Sequence, residues 1–393
     1  MDPQPNNLNY YFTLSNGGPF YKAMVKLRLL NIKRLAIAAL CITWLPLVAI
    51  TAMEGTLFSG TQLPFLSDVA MQARVLVALP MLILIKPAIE DRVTAVIRYI
   101  LETLVTPEQR ATIVDTVLVK ARKLTSSALT ELLILLGVIV ATISLVKGGV
   151  YGGLEKGTTS WMISTQGNDH GLSTAGYWAV LISIPVFQFL FASWVWRYIV
   201  WIMLLFQLSK AHLNLLPTHA DRAGGLGMIV LAQKSFNLLF IVSAIVILGQ
   251  FIVELIKHPD QFEAIRNEVI GYILVCIAFV VIPLSFFAGK LLRVKNNGLH
   301  QLSVLAASLS HKFEREWIND SPVEDRIEES KSDPSLLYDY AGMYEQLQKL
   351  RVVPVALNDI TGLALALLVP FIPILFVHFS VGELLQRIGG MVA

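Results

Sequence analysis

The chain has 393 residues, 55% of them hydrophobic and 15% charged, with a formal net charge of +3 and a mean hydropathy of +0.64. Water-soluble domains carry about 25% charged residues, so the composition excludes an aqueous globular fold. The small net charge gives no footing for nucleic-acid binding. Apolar residues gather in runs of about 20, enough to cross about 30 Å of hydrocarbon at about 1.5 Å per residue. The expectation is an all-α polytopic membrane bundle of about seven transmembrane helices with cytoplasmic helical extensions.

In chain order, residues 1–34 form a polar N-terminal segment ending in Lys22, Lys26, Arg28, Lys33 and Arg34. It lacks the basic-then-apolar order of a cleavable signal, so the first span is expected to act as the insertion signal. Residues 35–88 hold a transmembrane pair, Leu35–Met53 and Arg74–Ala88. The second is the weakest, because Arg74 and Lys86 bracket a short core; a re-entrant segment is the alternative. Residues 89–128 predict a cytoplasmic helical hairpin. Val93, Val96, Ile97, Ile100 and Leu101 fall near helical spacing, and Pro107 starts the second helix.

Residues 129–289 hold four more spans, Leu129–Val146, Tyr177–Leu208, Ile229–Ile256 and Val269–Gly289. Between them lie a Gly-, Ser- and Thr-rich external loop, 148–176, and a cytoplasmic loop, 209–228. The external loop reads as flexible, or as a lid with Trp161 as its plug. Residues 290–358 predict two cytoplasmic helices flanking a polar break, a possible surface for a partner protein. Residues 360–393 hold the last span, Ile360–Val381, and an external tail. Basic residues concentrate in alternate loops, which orients the N-terminus inside and the C-terminus outside. Cys41 and Cys276 both lie in apolar runs and read as small core residues.

Polar groups within spans are functional candidates whose depth decides their meaning. Arg197 follows Tyr177 by 20 residues, about 30 Å along a helix. That puts it near the cytoplasmic interface among Trp194, Trp196, Tyr198 and Trp201, as a snorkelling arginine in an aromatic belt or as a pore group. Gln188 is deeper, while Gln250 and Glu254 sit one turn apart near the outer end of the fifth span. They are pathway residues or helix-contact residues. Pro370 and Pro373 in VPFIPIL make the seventh span a candidate hinge. No catalytic motif, cofactor fingerprint or metal-ligand spacing occurs, so no catalytic residue, cofactor or metal is expected.

The loop LPTHADRAGGLG, residues 216–227, sets His219, Asp221 and Arg222 beside Gly224, Gly225 and Gly227. Pro217 disfavours helix at Leu216, so the fourth span should end there, and Thr218 or Asp221 can cap a new helix. One reading is a glycine-rich turn with Arg222 snorkelling to lipid phosphates. The other is a gating or anion-binding loop, in which consecutive glycine amides and an arginine offer donors and positive potential. Asp221 is expected to pair with Arg222 or with a neighbouring basic helix.

THADRAGGLG, preceded by RYIVWIMLLFQLSKAHLNLLP, resembles the THPDRAGGLGFL hallmark of a functionally uncharacterised family of bacterial multi-pass inner-membrane proteins. RVLVALPMLILIKPAIEDRV, PVFQFLFASWVWRYIVW, LQKLRVVPVALND and LLVPFIPILFVHFSVGELLQRI extend the resemblance over most of the chain, in order. Ala220 and Met228 depart from the family's proline and phenylalanine. The resemblance implies a location in the bacterial inner membrane but no activity. The first functional expectation is an ion channel or small-solute transporter, resting on broken spans and the absence of catalytic motifs. The alternatives are a scaffold or sensor working through 290–358, and a lipid- or phosphate-binding membrane protein. Membrane lipids are the expected partners, and a homo-oligomer is expected for a small body with an odd number of spans.

Overall fold

The computed structural model describes residues 12–15, 17–147, 159–164, 171–315 and 334–378. Seven of its helices are long and apolar enough to cross a membrane: Ile32–Met53, Val69–Leu104, Ala128–Lys147, Thr174–Lys210, Gly227–Lys257, Pro259–Ser285 and Leu357–Val377. They are numbered here spans one to seven. The chain is an all-α, multi-pass membrane bundle. Among the described residues the only β pairing is two isolated bridges, Leu63 with Ser160 and Ile163 with Leu172.

Local chemistry sets the helix ends. The Asn31 side chain accepts the Lys33 and Arg34 amides at 3.1 and 3.3 Å and starts span one. Span one breaks at Trp44, two residues before Pro46, which has no amide to continue the ladder. Ser173 caps span four by accepting the Gly176 amide at 2.9 Å. Span seven tightens to a 3-10 turn at Val369–Phe371 around Pro370, the point expected as a hinge. Its outer end, expected at Val381, lies outside the described residues.

Span two differs most from expectation. It is 36 residues long rather than the short Arg74–Ala88, and it runs through the 88/89 boundary without a break. Ile89, Val93, Val96, Ile97, Ile100 and Leu101 are all buried, so the face predicted for a separate hairpin helix simply prolongs the span. Arg74, expected at an interface, is itself buried. Wide π-type turns interrupt spans two and four at Ala73–Ala78 and Ala179–Ser183.

Span four ends at Lys210, short of Leu216. Residues beyond it are extended instead: Leu213 and Leu215 are buried while His212, Asn214 and Leu216 are exposed. The Asn214 amide donates to the Leu104 carbonyl at 2.8 Å, fastening this stretch to the end of span two. Span six stops at Ser285, before the expected Gly289. A turn at Phe286–Phe287 leads to the long helix Ala288–Phe313. Helix Pro334–Gln348 packs back on it, with Tyr340 donating to the Leu302 carbonyl. The expected polar break between these helices, most of the external loop and the C-terminal tail fall outside the described residues.

Side-chain hydrogen bonds cross between spans. Thr142 of span three donates to Gln188 of span four at 2.7 Å. Gln233 of span five is fully buried. It accepts from the Trp201 indole at 2.9 Å and donates to the Tyr198 hydroxyl at 2.7 Å, which donates in turn to the Phe279 carbonyl at 2.6 Å. Burying an amide in an apolar body is tolerated only with its partners in place.

At the end of the bundle where spans two and four begin, Trp161 is wholly buried, edge-on to Phe65, with its indole donating to Asp68 at 3.0 Å. Ser173 donates to its carbonyl at 2.7 Å. The segment 159–164 is thus pinned to the starts of spans two and four. Trp161→Phe keeps a ring in this cavity but leaves Asp68 short of a donor. A loss of about 1–2 kcal/mol is expected, measured as a lowered midpoint of thermal unfolding in detergent.

Candidate functional site

Two places gather polar groups, and they differ in what their charges already hold. In the 216–227 loop, Asp221 Oδ1 accepts the amides of Ala223 and Gly225 at 2.8 and 3.1 Å, and Oδ2 accepts the Gly227 amide at 2.8 Å. His219 Nδ1 lies 2.8 Å from Oδ1 and 3.3 Å from the Asp221 amide nitrogen. Gly224 and Gly225 reach positive φ, 66° and 95°, where side chains are disfavoured. A Cβ on Gly225 would also sit 2.9 Å from Leu104.

The chain's own carboxylate therefore occupies the amides of Gly225 and Gly227 on which an external anion would depend. Asp221 makes no ion pair with Arg222 among the described residues. Arg222 is exposed and sits at φ 52°. Arg351 braces this backbone, donating from its amide to the Arg222 carbonyl at 2.9 Å and from Nη2 to the Asp221 carbonyl at 2.8 Å. The stretch LQKLRVVPVALND thus meets THADRAGGLG in space. Nearby, Lys234 pairs with Asp359 at 2.6 Å, and Lys290 donates to the Ala211 carbonyl. Burial and the neighbouring Arg293 lower the Lys290 pKa.

Burial alone would raise the Asp221 pKa, but the amides of Ala223, Gly227 and Gly225 and the His219 bond hold it below the ordinary carboxylate value of 3.8. Its contribution to stability is therefore complete above pH 3.8 and lost as pH falls through the lower folded value. Between neutral pH and about 4, the unfolding midpoint should show no dependence on Asp221 ionisation. A wild-type minus Asp221→Asn comparison across pH in detergent checks this.

The second place lies under residues 12–15 and 17–26, which run across spans two and three like a strap. Glu90 of span two accepts the Leu14 amide at 2.9 Å, and Thr94 donates to the Phe12 carbonyl at 2.7 Å. Glu131 of span three accepts the Phe20 amide at 2.7 Å. Between strap and spans is a cavity of about 70 Å³ lined by Ser15, Lys86, Glu131, Ser193 and Arg197, with apolar walls.

Both carboxylates are engaged by the strap backbone, and both also act electrostatically on Arg197, Glu90 on Lys86 as well. Lys86 sits over the Tyr21 ring at 5.3 Å and Arg197 over Trp194 at 4.8 Å. Neither makes an ion pair among the described residues. Ser15 and Glu90 are more than nine-tenths buried, and the Ser15 hydroxyl faces the Glu90 carboxylate.

Of the residues singled out in the sequence, Arg197 reaches this cavity, while Gln188 bonds to span three instead. Gln250 and Glu254 are half-buried on span five, apart from the cavity. Lys86, Glu90 and Ser15 escaped sequence reasoning. The signal available was a lysine and a glutamate one helical turn apart within a continuing apolar face. No protein-family model, no curated protein and no solved structure matches the chain.

Proposed function

We propose that the protein is an anion transporter of the bacterial inner membrane, working through the cavity beneath the strap. The observation that carries this is the pair of cations, Lys86 and Arg197, lining one cavity between strap and spans, with no carboxylate in salt-bridge contact with either among the described residues. Desolvated charges without partners are costly, and in membrane bodies they mark ligand or ion pathways by default. The strap amides of Leu14 and Phe20 share Glu90 and Glu131 with the two cations, which leaves the cations without a direct ion pair among the described residues.

Two further features support transport over static binding. Trp161, Phe65 and Asp68 close the outer end, so the cavity belongs to an occluded or one-sided state. The π-type turns of spans two and four lie between that closure and the cavity, on the helices that carry Lys86 and Arg197; such turns recur at functional sites. With the N-terminus inside, as the basic residues orient it, the anion enters from the cytoplasmic face. Uptake of inorganic phosphate and chloride into proteoliposomes tests the reading. Wild type should accumulate at least one anion and Arg197→Gln should not. Folded protein that moves neither anion would overturn transport of small anions.

A platform for a partner protein is the second reading. It is favoured by Val304 and Tyr338, 62% and 82% exposed on the paired helices that follow span six. Loss of a cellular phenotype on Tyr338→Glu, with flux intact, would support it.

A further inference from the structure

We infer that the anion taken by the strap cavity is the phosphate group of an acyl-bearing amphiphile, an inference that rests on the anion reading above and narrows its ligand class. Three independent features of the cavity lead there. The first is its mixed wall: Leu29, Leu30, Ile32, Leu35, Leu82 and Leu190 line it together with Lys86 and Arg197. A hydrated inorganic anion gains nothing from six apolar side chains, whereas each buried methylene of an acyl chain contributes about 0.8 kcal/mol.

The second is depth. Arg197 is 23 residues into span four, which begins at Thr174, about 35 Å along its axis. Glu131 lies in the first turn of span three. Trp194 and Trp196 flank the site, and aromatic residues with snorkelling cations sit at headgroup level. The cavity therefore opens where lipid phosphates reside rather than at the bilayer centre.

The third is the donor set. Arg197 offers a planar fork suited to two phosphate oxygens, and Lys86 a compact point charge beside it. The lining charges are Lys86, Arg197 and Glu131, with Glu90 of span two acting on both cations, so the apolar wall rather than net charge separates a lipid phosphate from a free one.

The test uses the full chain purified in neutral detergent and stripped of lipid. Isothermal titration compares phosphatidate, phosphatidylcholine and inorganic phosphate, for wild type, Lys86→Gln, Arg197→Gln and Leu190→Trp. Phosphatidate should bind at least about tenfold more tightly than inorganic phosphate. Each charge-removing variant should lose about tenfold or more, as expected for one charge-assisted hydrogen bond. Leu190→Trp, which fills the apolar arm, should weaken the lipid while sparing any inorganic phosphate binding.

Equal affinities for lipid and inorganic phosphate, both lost in Arg197→Gln, would overturn the amphiphile while leaving the anion reading intact. Binding of neither probe would overturn both. Lipid binding unchanged in both charge variants would mean general surface association and would also overturn the inference. If Arg197→Gln fails to fold, Lys86→Gln carries the same decision.

Discussion

Asp221→Ala should lower the stability of the detergent-solubilised protein by about 3 kcal/mol or more, the largest loss expected from any exposed-loop substitution. Three amides, of Ala223, Gly225 and Gly227, converge on its two oxygens in a turn whose Gly224 and Gly225 are buried. Each donor stranded without water or protein acceptor costs about 1–3 kcal/mol. The turn also sets the first residue of span five and positions the backbone that Arg351 clasps, so its collapse spreads to the helices after span six. Asp221→Asn retains one acceptor oxygen and should lose less. The measurement is the unfolding midpoint of both variants beside wild type. An alanine variant as stable as wild type would mean that the carboxylate does not organise the loop.

Gly249→Leu should be comparably damaging for a different reason. An added Cβ there would stand 2.8 Å from the Ala70 Cα, 3.1 Å from the Ala73 Cβ and 3.2 Å from the Val69 carbonyl. Two of these three neighbours are backbone atoms, so no rotamer change relieves the contact, and spans two and five must separate. In lipid, helix association depends on such close packing because the hydrophobic effect no longer drives it. Overpacking costs typically about 1–3 kcal/mol in cores that can yield. Here about 3 kcal/mol and loss of monodisperse protein on size-exclusion chromatography are expected, with Gly249→Ala intermediate. A monodisperse Gly249→Leu with an unchanged midpoint would contradict the close approach.

The contrast between legible and hidden features has a physical basis. Spans three and six are legible because the stretches 132–146 and 269–289 hold no charged residue. Span two did not, because Lys86, Glu90, Asp91 and Arg92 break the run while Ile89, Val93 and Val96 keep one face buried. Hydropathy averages over all faces of a helix and loses such a stripe. In the 216–227 loop the sequence revealed the donors but not their acceptor: whether Asp221 turns inward to the glycine amides or outward to Arg222 depends on backbone angles. The strap cavity was hidden more deeply. Glu90 meets Leu14 across 76 residues and Glu131 meets Phe20 across 111, so neither contact leaves a local pattern. Only the folded strap brings Lys86 and Arg197 together with Glu90 and Glu131 around one cavity.

The account places the working site at Lys86 and Arg197 and assigns the glycine loop a structural task. Anion flux into proteoliposomes, measured side by side for wild type, Arg197→Gln and Arg222→Ala, tests that division most directly. Flux abolished in Arg197→Gln and retained in Arg222→Ala, with both variants folded, is the predicted result. Flux that survives Arg197→Gln but disappears with Arg222→Ala would contradict it and return the site to the loop.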